Sequence, residues 1–220
     1  MKKIVSRMID ISVPMNEHTP IYEGNPPFSV SWAMSISSGD QVNLSELHEG
    51  VHTGTHIDAP LHFLERGSSI DRVPLRHFFC NVQVVRTKRG TITPSVLEKV
   101  KPMRTEGILF RTSNSGLYGK PFTRDFVFIE GDTARMLARA RVPIVGIDYL
   151  SVERFGSREA PAHHILLGAG IPILEGINLG GVRPGRYTLA VFPLRLEGRE
   201  AAPARAVLFD PPLASVIDVR

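Results

Sequence analysis

The sequence predicts a single α/β domain built on a mixed, partly barrel-like β-sheet with helices packed on it. Three observations carry that reading. Short apolar or alternating runs that read as strands outnumber the stretches with helical spacing. Only part of the chain alternates strand and helix, so an all-parallel doubly wound sheet does not account for it. No Pro/Gly/Ser-rich linker or composition shift divides the 220 residues, and no repeat at solenoid periods occurs.

Taken in order, the first forty residues are punctuated by Pro14, Pro20, Pro26 and Pro27 and read as short extended pieces and loops. Phe28–Trp32 alternates, and Val42–Leu47 does so more loosely; both are expected as strands, with Trp32 in the core. Ile108–Phe110 and Phe126–Ile129 are short apolar runs expected as strands, with the loop 112–116 after the first. Residues 133–140 have helical spacing, with Asp132 or Thr133 placed to cap them. Pro143–Asp148 reads as a buried strand ending in a carboxylate, Ala162–Leu167 as a short helix stopped by Gly168 and Gly170, and Ile171–Glu175 as the next strand. Tyr187–Phe192 and Ala206–Phe209 supply two more.

Composition narrows the function. An apolar fraction of 42% and a charged fraction of 22% are those of a globular chain able to bury a core without disulfides. The lone cysteine, Cys80, follows two phenylalanines and reads as a buried hydrophobe; one cysteine fits a reducing compartment. Asp10 and Pro14 interrupt the N-terminal region before an apolar signal core develops, and no apolar run approaches a membrane span, so a cytoplasmic protein is expected. The net charge is +4, but Lys and Arg are spread along the chain without blocks or interleaved aromatics, so no nucleic-acid partner is expected.

The chemistry is concentrated in one segment. His48, His52, His56 and His62 put four of the eight histidines within fifteen residues, with Asp58 among them. Imidazole and carboxylate together are a donor set for zinc or a neighbouring divalent ion. His52 and His56 would stand ~13 Å apart on an extended strand, too far for one ion, so the chain must curl between them, and Gly54 makes that bend cheap. Pro60 cannot donate to a ladder, so the chain is expected to leave a sheet edge there and bring His62 back toward the site. His163 and Glu175 form a second cluster across the reversal at Gly168 and Gly170. Glu175 lies within an apolar run, where a buried carboxylate needs a cation or strong hydrogen bonds. Other signals are weaker. Gly168-Ala-Gly170 follows a helix and reads as a C-cap rather than a dinucleotide site, no Gly-x-Ser-x-Gly elbow occurs, Ser113 and Ser115 read as loop residues, and Asp148 reads as turn-capping or facing the site.

The run His52-Thr-Gly-Thr-His-Ile-Asp-Ala-Pro-Leu-His62 resembles the signature of the cyclase family of metal-dependent hydrolases, to which kynurenine formamidases and isatin hydrolases belong. Residues 146–151, the His163–Glu175 spacing, and the stretches 192–198 and 203–208 resemble it too. The resemblance implies a swivelling β/β/α, cyclase-like fold over residues 1–220. It implies two divalent ions, zinc or else manganese, with His52, His56 and Asp58 on one, His163 on the other, and Asp58 and Glu175 reaching both. His62 matches the catalytic proton donor and acceptor, while His164 does not match a ligand position. Tyr22, in Pro20-Ile-Tyr22-Glu-Gly24, stands where the family's formamidases carry a substrate-contacting tryptophan. The implied activity is hydrolysis of the C–N bond of a small aryl formamide, best N-formylkynurenine, by a homodimer or larger homo-oligomer. The alternatives are a cyclic amide such as isatin, a lactone, or a non-catalytic metal-binding protein; the spare histidine His62 favours catalysis, because a structural zinc site is closed by four ligands.

Overall fold

A computed structural model describes residues 7–87, 90–98 and 100–213. Among the described residues there are ten strands: β1 Arg7–Asp10, β2 Ser29–Met34, β3 Leu44–His48, β4 His56–Asp58, β5 Phe79–Arg86, β6 Glu106–Arg111, β7 Val145–Ile147, β8 Ile173–Glu175, β9 Gly185–Pro193 and β10 Ala201–Asp210. Three helices accompany them: α1 Ser95–Glu98, α2 Gly131–Ala140 and α3 Pro161–Gly168.

Seven strands close on themselves in the order β10-β4-β8-β7-β6-β5-β9 and back to β10. The run β5 to β8 is parallel and the remaining pairings are antiparallel, as expected for a mixed barrel-like sheet. Strand β10 is long enough to serve three neighbours. Its start pairs with β4, its middle and end with β9, and its last residues with β1. Closure removes the free edges that an open sheet leaves.

Side-chain alternation then sorts residues into two layers. Ile57, Val82, Val84, Leu109, Leu174, Leu189 and Leu208 share the core inside the barrel. Ile108, Phe110 and Ile173, next to them in the chain, and Val145 and Ile147, on either side of Gly146, face outward into a second core with Ala134 and Leu137 of α2 and Ala162 and Leu166 of α3. Burial of these side chains at about 1.5–3 kcal/mol each is the main term holding the helices on the sheet. At β7 the inner layer has no room for a side chain. A Cβ on Gly146 would stand 2.7 Å from Leu109 Cδ2.

Some expectations need correction. Phe126–Ile129 is not a strand. The Asn114 side chain takes both backbone groups of Val127, donating from Nδ2 and accepting at Oδ1, so an amide stands where a neighbouring strand would be; one bridge, Ile92 to Ile129, is formed. Neither Asp132 nor Thr133 caps α2. The helix starts after Glu130 with no side-chain cap bond, Asp132 pairs with Arg135, and the Thr133 hydroxyl donates to the Ile92 carbonyl. Trp32 is 64% exposed. It belongs to the β2–β3 hairpin, whose strand residues are all exposed. Strand β4 is no edge strand but lies between β10 and β8, and the chain turns at Pro60 into a 3-10 turn, Pro60–His62.

Candidate metal centre

The register of β4 against β8 builds the site. His56 is paired with Glu175 and Asp58 with Ile173, so His56, Asp58 and Glu175 all project to the outer face of the barrel, under α3. Ile57 and Leu174, one residue along, point into the core. Helix α3 lays His163 over this face, and the bend before β4 returns His52 to it. Two glycines permit the crossing. Gly54 takes φ +65 in the bend, and Gly176, at φ +68, ends β8 so close to the bend that a Cβ there would stand 1.8 Å from the Gly54 carbonyl oxygen.

Five predicted ligand residues therefore converge. His52 Nδ1 is 3.0 Å from Asp58 Oδ1, and His56 Nε2 is 3.4 Å from the same oxygen and 3.5 Å from Glu175 Oε2. His163 Nε2 is 3.8 Å from Asp58 Oδ2 and 3.6 Å from Glu175 Oε1. The His52 contact is short but not aligned as a hydrogen bond, and the other gaps are longer than good hydrogen bonds. They match atoms sharing an ion, because ligands held ~2.1 Å from one tetrahedral centre stand ~3.4 Å apart. Asp58 is fully buried, yet neither of its oxygens has a hydrogen-bond partner among the described residues, and His56 Nε2 has none either. Such orphaned buried groups are costly. A divalent cation satisfies all of them, so the residues present fit a metal.

His62 sits beside this cluster on the 3-10 turn, its ring 4.1 Å from that of His52 and 5.8 Å from that of His163, centroid to centroid. Donor atoms of Asp58, His62 and His163 lie within 4.8 Å of one another, as do those of His52, His56 and Asp58. Asp58 is common to both groups. His164, the next residue of α3, is exposed, and its ring meets the edge of Phe63 rather than the cluster. Asp148 is buried and belongs to neither group; it accepts from the Thr112 and Ser115 hydroxyls and the Thr112 amide, pinning the loop after β6. Cys80 is a buried thiol that desolvation raises to about 12, as its reading as a hydrophobe requires.

Electrostatics in the metal-free cluster are those of a closed set of ion pairs. Burial works against the His56 imidazolium, but the Asp58 and Glu175 carboxylates outweigh it and lift its pKa to about 10. His163 rises to about 9, burial again opposing and Glu153, Glu175 and Asp58 prevailing. Burial pushes the Asp58 carboxyl up, but His52 and His56 hold it well below the usual carboxylate range. Glu175 is lowered in the same way by His163 and His56, against burial and the Asp58 charge. His62 moves the other way. Its burial, with the neighbouring His52 and His163, lowers its pKa against the pull of Asp58 and Glu175.

Residues 9–154 match the family model described as putative cyclase. The chain belongs to the cyclase family. A kynurenine formamidase of Salinibacter ruber is 38% identical over 208 residues, spanning 93% of this chain and 98% of that protein. The solved structure of a potential metal-dependent hydrolase with cyclase activity superposes with a TM-score of 0.83 at 34% identity, over 95% of this chain and all of the other. An isatin hydrolase bound to the product analogue thioisatinate shares the fold, with a TM-score of 0.82 at 18% identity over 93% of this chain and 92% of its own. This member is an enzyme of the hydrolase class.

Two carboxylates at the site escaped sequence reasoning. Glu153 lies 3.7 Å from His163 Nδ1, and Glu200 lies 3.6 Å from His52 Nε2. The one available signal for Glu153 was a charge closing the otherwise apolar stretch after Asp148. Glu200 sits in a charged surface turn that carries no such mark.

Proposed function

We propose that the chain is a metal-dependent arylformamidase that hydrolyses N-formylkynurenine to kynurenine and formate. The observation that carries the reading is the buried Asp58–Glu175 pair ringed by His52, His56 and His163, with both Asp58 oxygens and His56 Nε2 unpartnered among the described residues and His62 alongside. The identity of 38% to a kynurenine formamidase over nearly its full length supports N-formylkynurenine as the substrate.

Two divalent ions, zinc by preference, would be held by His52, His56 and Asp58 on one side and by His163 on the other, with Asp58 and Glu175 reaching both. When bound, such ions supply Lewis-acid polarisation of the scissile carbonyl and lower the pKa of water toward neutrality. His62 acts on protons. With its pKa lowered by burial it is a neutral imidazole at pH 7, able to accept a proton from the attacking water and hand it to the departing aniline nitrogen. The carbon–oxygen bond forms first, as water adds to the formyl carbon, and the carbon–nitrogen bond breaks when the tetrahedral adduct collapses and the nitrogen takes up the proton from His62.

Tyr22 supports an aromatic substrate. Its ring lies 5.4 Å from Phe122 and 5.5 Å from Phe155, and its loop is tied down by the two-pronged Glu23–Arg124 pair. Burial raises the Tyr22 phenol, with Glu175 and Glu153 adding to it, which sets the ring within the field of the carboxylates.

A homodimer in the cytoplasm completes the reading. No helix among the described residues is long and apolar enough to cross a membrane. The β2–β3 hairpin exposes Val30, Trp32, Leu44 and Leu47 by half or more, and a groove of about 780 Å³ beside it is lined by Phe28, Phe192 and Leu194. An apolar arm next to an apolar groove suits a two-fold partner of the same chain.

The test is hydrolysis of N-formylkynurenine, isatin and a lactone by protein treated with EDTA and then resupplied with zinc or manganese. Zinc-restored turnover of the formamide above the other two supports the proposal. Turnover that survives full metal removal, or that is confined to isatin, overturns it.

A further inference from the structure

Each imidazole of the cluster has two nitrogens, and only one of them faces the Asp58–Glu175 pair. His56 points Nε2 at the pair while its Nδ1 lies 2.9 Å from the Gly54 carbonyl, to which an Nδ1–H donates. His52 points Nδ1 at Asp58 and Nε2 at Glu200. His163 points Nε2 at both carboxylates and Nδ1 at Glu153. The outward nitrogen of each ring thus meets an oxygen that is not one of the proposed ligands.

Of the two carboxylates in this outer set, Glu153 is the buried one. It also does a second task. Helix α3 begins after Ala160, which sits at φ +39 and makes no side-chain cap bond. Glu153, ten residues ahead of His163, supplies the missing acceptor. Its Oε2 takes the amide of Ala162 at 2.9 Å and that of His163 at 3.4 Å. The same oxygen faces His163 Nδ1, which is buried and has no hydrogen-bond partner of its own among the described residues. Phe63 stacks on the ring at 4.3 Å and 16°, which holds its plane but leaves open which nitrogen carries the proton.

We infer that Glu153 is a positioning residue for the metal centre. Its carboxylate keeps a proton on His163 Nδ1, so that the proton a metal would displace is the one on Nε2, the nitrogen turned to Asp58 and Glu175, and it ties that choice to the capping of α3. The inference rests on the metal-centre reading above and adds a residue to it. Outer carboxylates of this kind orient a ligating imidazole and raise its basicity.

The test uses the whole chain with zinc as the probe, in wild type, Glu153→Gln and Asp58→Asn. Glu153→Gln keeps an oxygen for the Ala162 amide but removes the charge facing Nδ1. Its zinc dissociation constant, from competition with a chromophoric chelator, should rise about 10- to 100-fold. Its thermal midpoint in EDTA should stay within a few degrees of wild type. Nitrogen-15 spectra of the zinc-loaded wild type should show His163 protonated at Nδ1. Wild-type zinc affinity in Glu153→Gln, or zinc on Nδ1 of His163, overturns the inference while leaving the metal centre standing. A wild type that binds zinc no better than Asp58→Asn overturns the metal centre itself, and the inference with it.

Discussion

Loading the cluster with metal should expel protons, and the structure says how many. In the metal-free protein His56 titrates at about 10 and His163 at about 9, because both rings face Asp58 and Glu175. At pH 7 both are imidazolium, and their two charges balance the two buried carboxylates. Metal binds only the neutral ring. Binding at pH 7 must therefore displace two protons, about three decades of competition at His56 and two at His163, or roughly 7 kcal/mol at 1.36 kcal/mol per unit. Apparent zinc affinity should rise about 100-fold per pH unit from pH 7 toward 9, then by less, and level off above 10. Calorimetric titration in buffers of different ionisation enthalpy reads the released protons directly. The expected value at pH 7 is about two. Release of fewer than half a proton, or an affinity that does not change between pH 7 and 9, would refute the electrostatic reasoning. The sign for folding follows from the same shifts. Both rings are raised above the unfolded value near 6.5, so their stabilisation of the metal-free protein is complete below that pH and is lost as pH rises through about 9 to 10.

Three further outcomes are expected. His62→Ala should keep its metal, measured by plasma emission, while turnover falls about 10²- to 10⁴-fold, the usual contribution of a general acid–base group; lost metal instead would make His62 a ligand. Gly176→Ala should cost about 3 kcal/mol or more in urea unfolding, because a Cβ at φ +68 runs into the Gly54 carbonyl and forces the bend before His56 away from β8; a loss below 1 kcal/mol would mean the crossing is soft. Trp32→Glu on the hairpin should shift the mass in multi-angle light scattering from dimer to monomer, and a variant that stays dimeric would place the interface elsewhere.

The residues that could hold a metal were legible because they are local. Four histidines and a carboxylate in one short stretch say metal before any fold is known, and the curl at Gly54 follows from the distance a strand would impose. The second half of the cluster was legible as a turn, His163 and Glu175 across Gly168 and Gly170. Its placement was not, since the register of His56 on Glu175 is a long-range pairing with no sequence mark. Strands β4 and β5 went unread for different reasons. β4 carries polar ligands where a strand pattern wants apolar residues, and β5 mixes Asn81 and Gln83 into a run that barrel closure buries on one face only. Trp32 misled because an indole is usually covered, and the sequence of one chain does not say that a hairpin will stand clear of its own core. Glu153 was invisible because it caps a helix from outside the helix's own segment, a contact that only the packing of the loop after β7 against α3 creates.

Anomalous diffraction from crystals of the zinc-loaded protein, collected on both sides of the zinc edge, tests the central claim most directly. The account expects peaks against the Asp58 carboxylate, one toward His52 and His56 and one toward His163, with Glu175 within reach of both. No peak at Asp58, or a peak at some other group of residues, would contradict it.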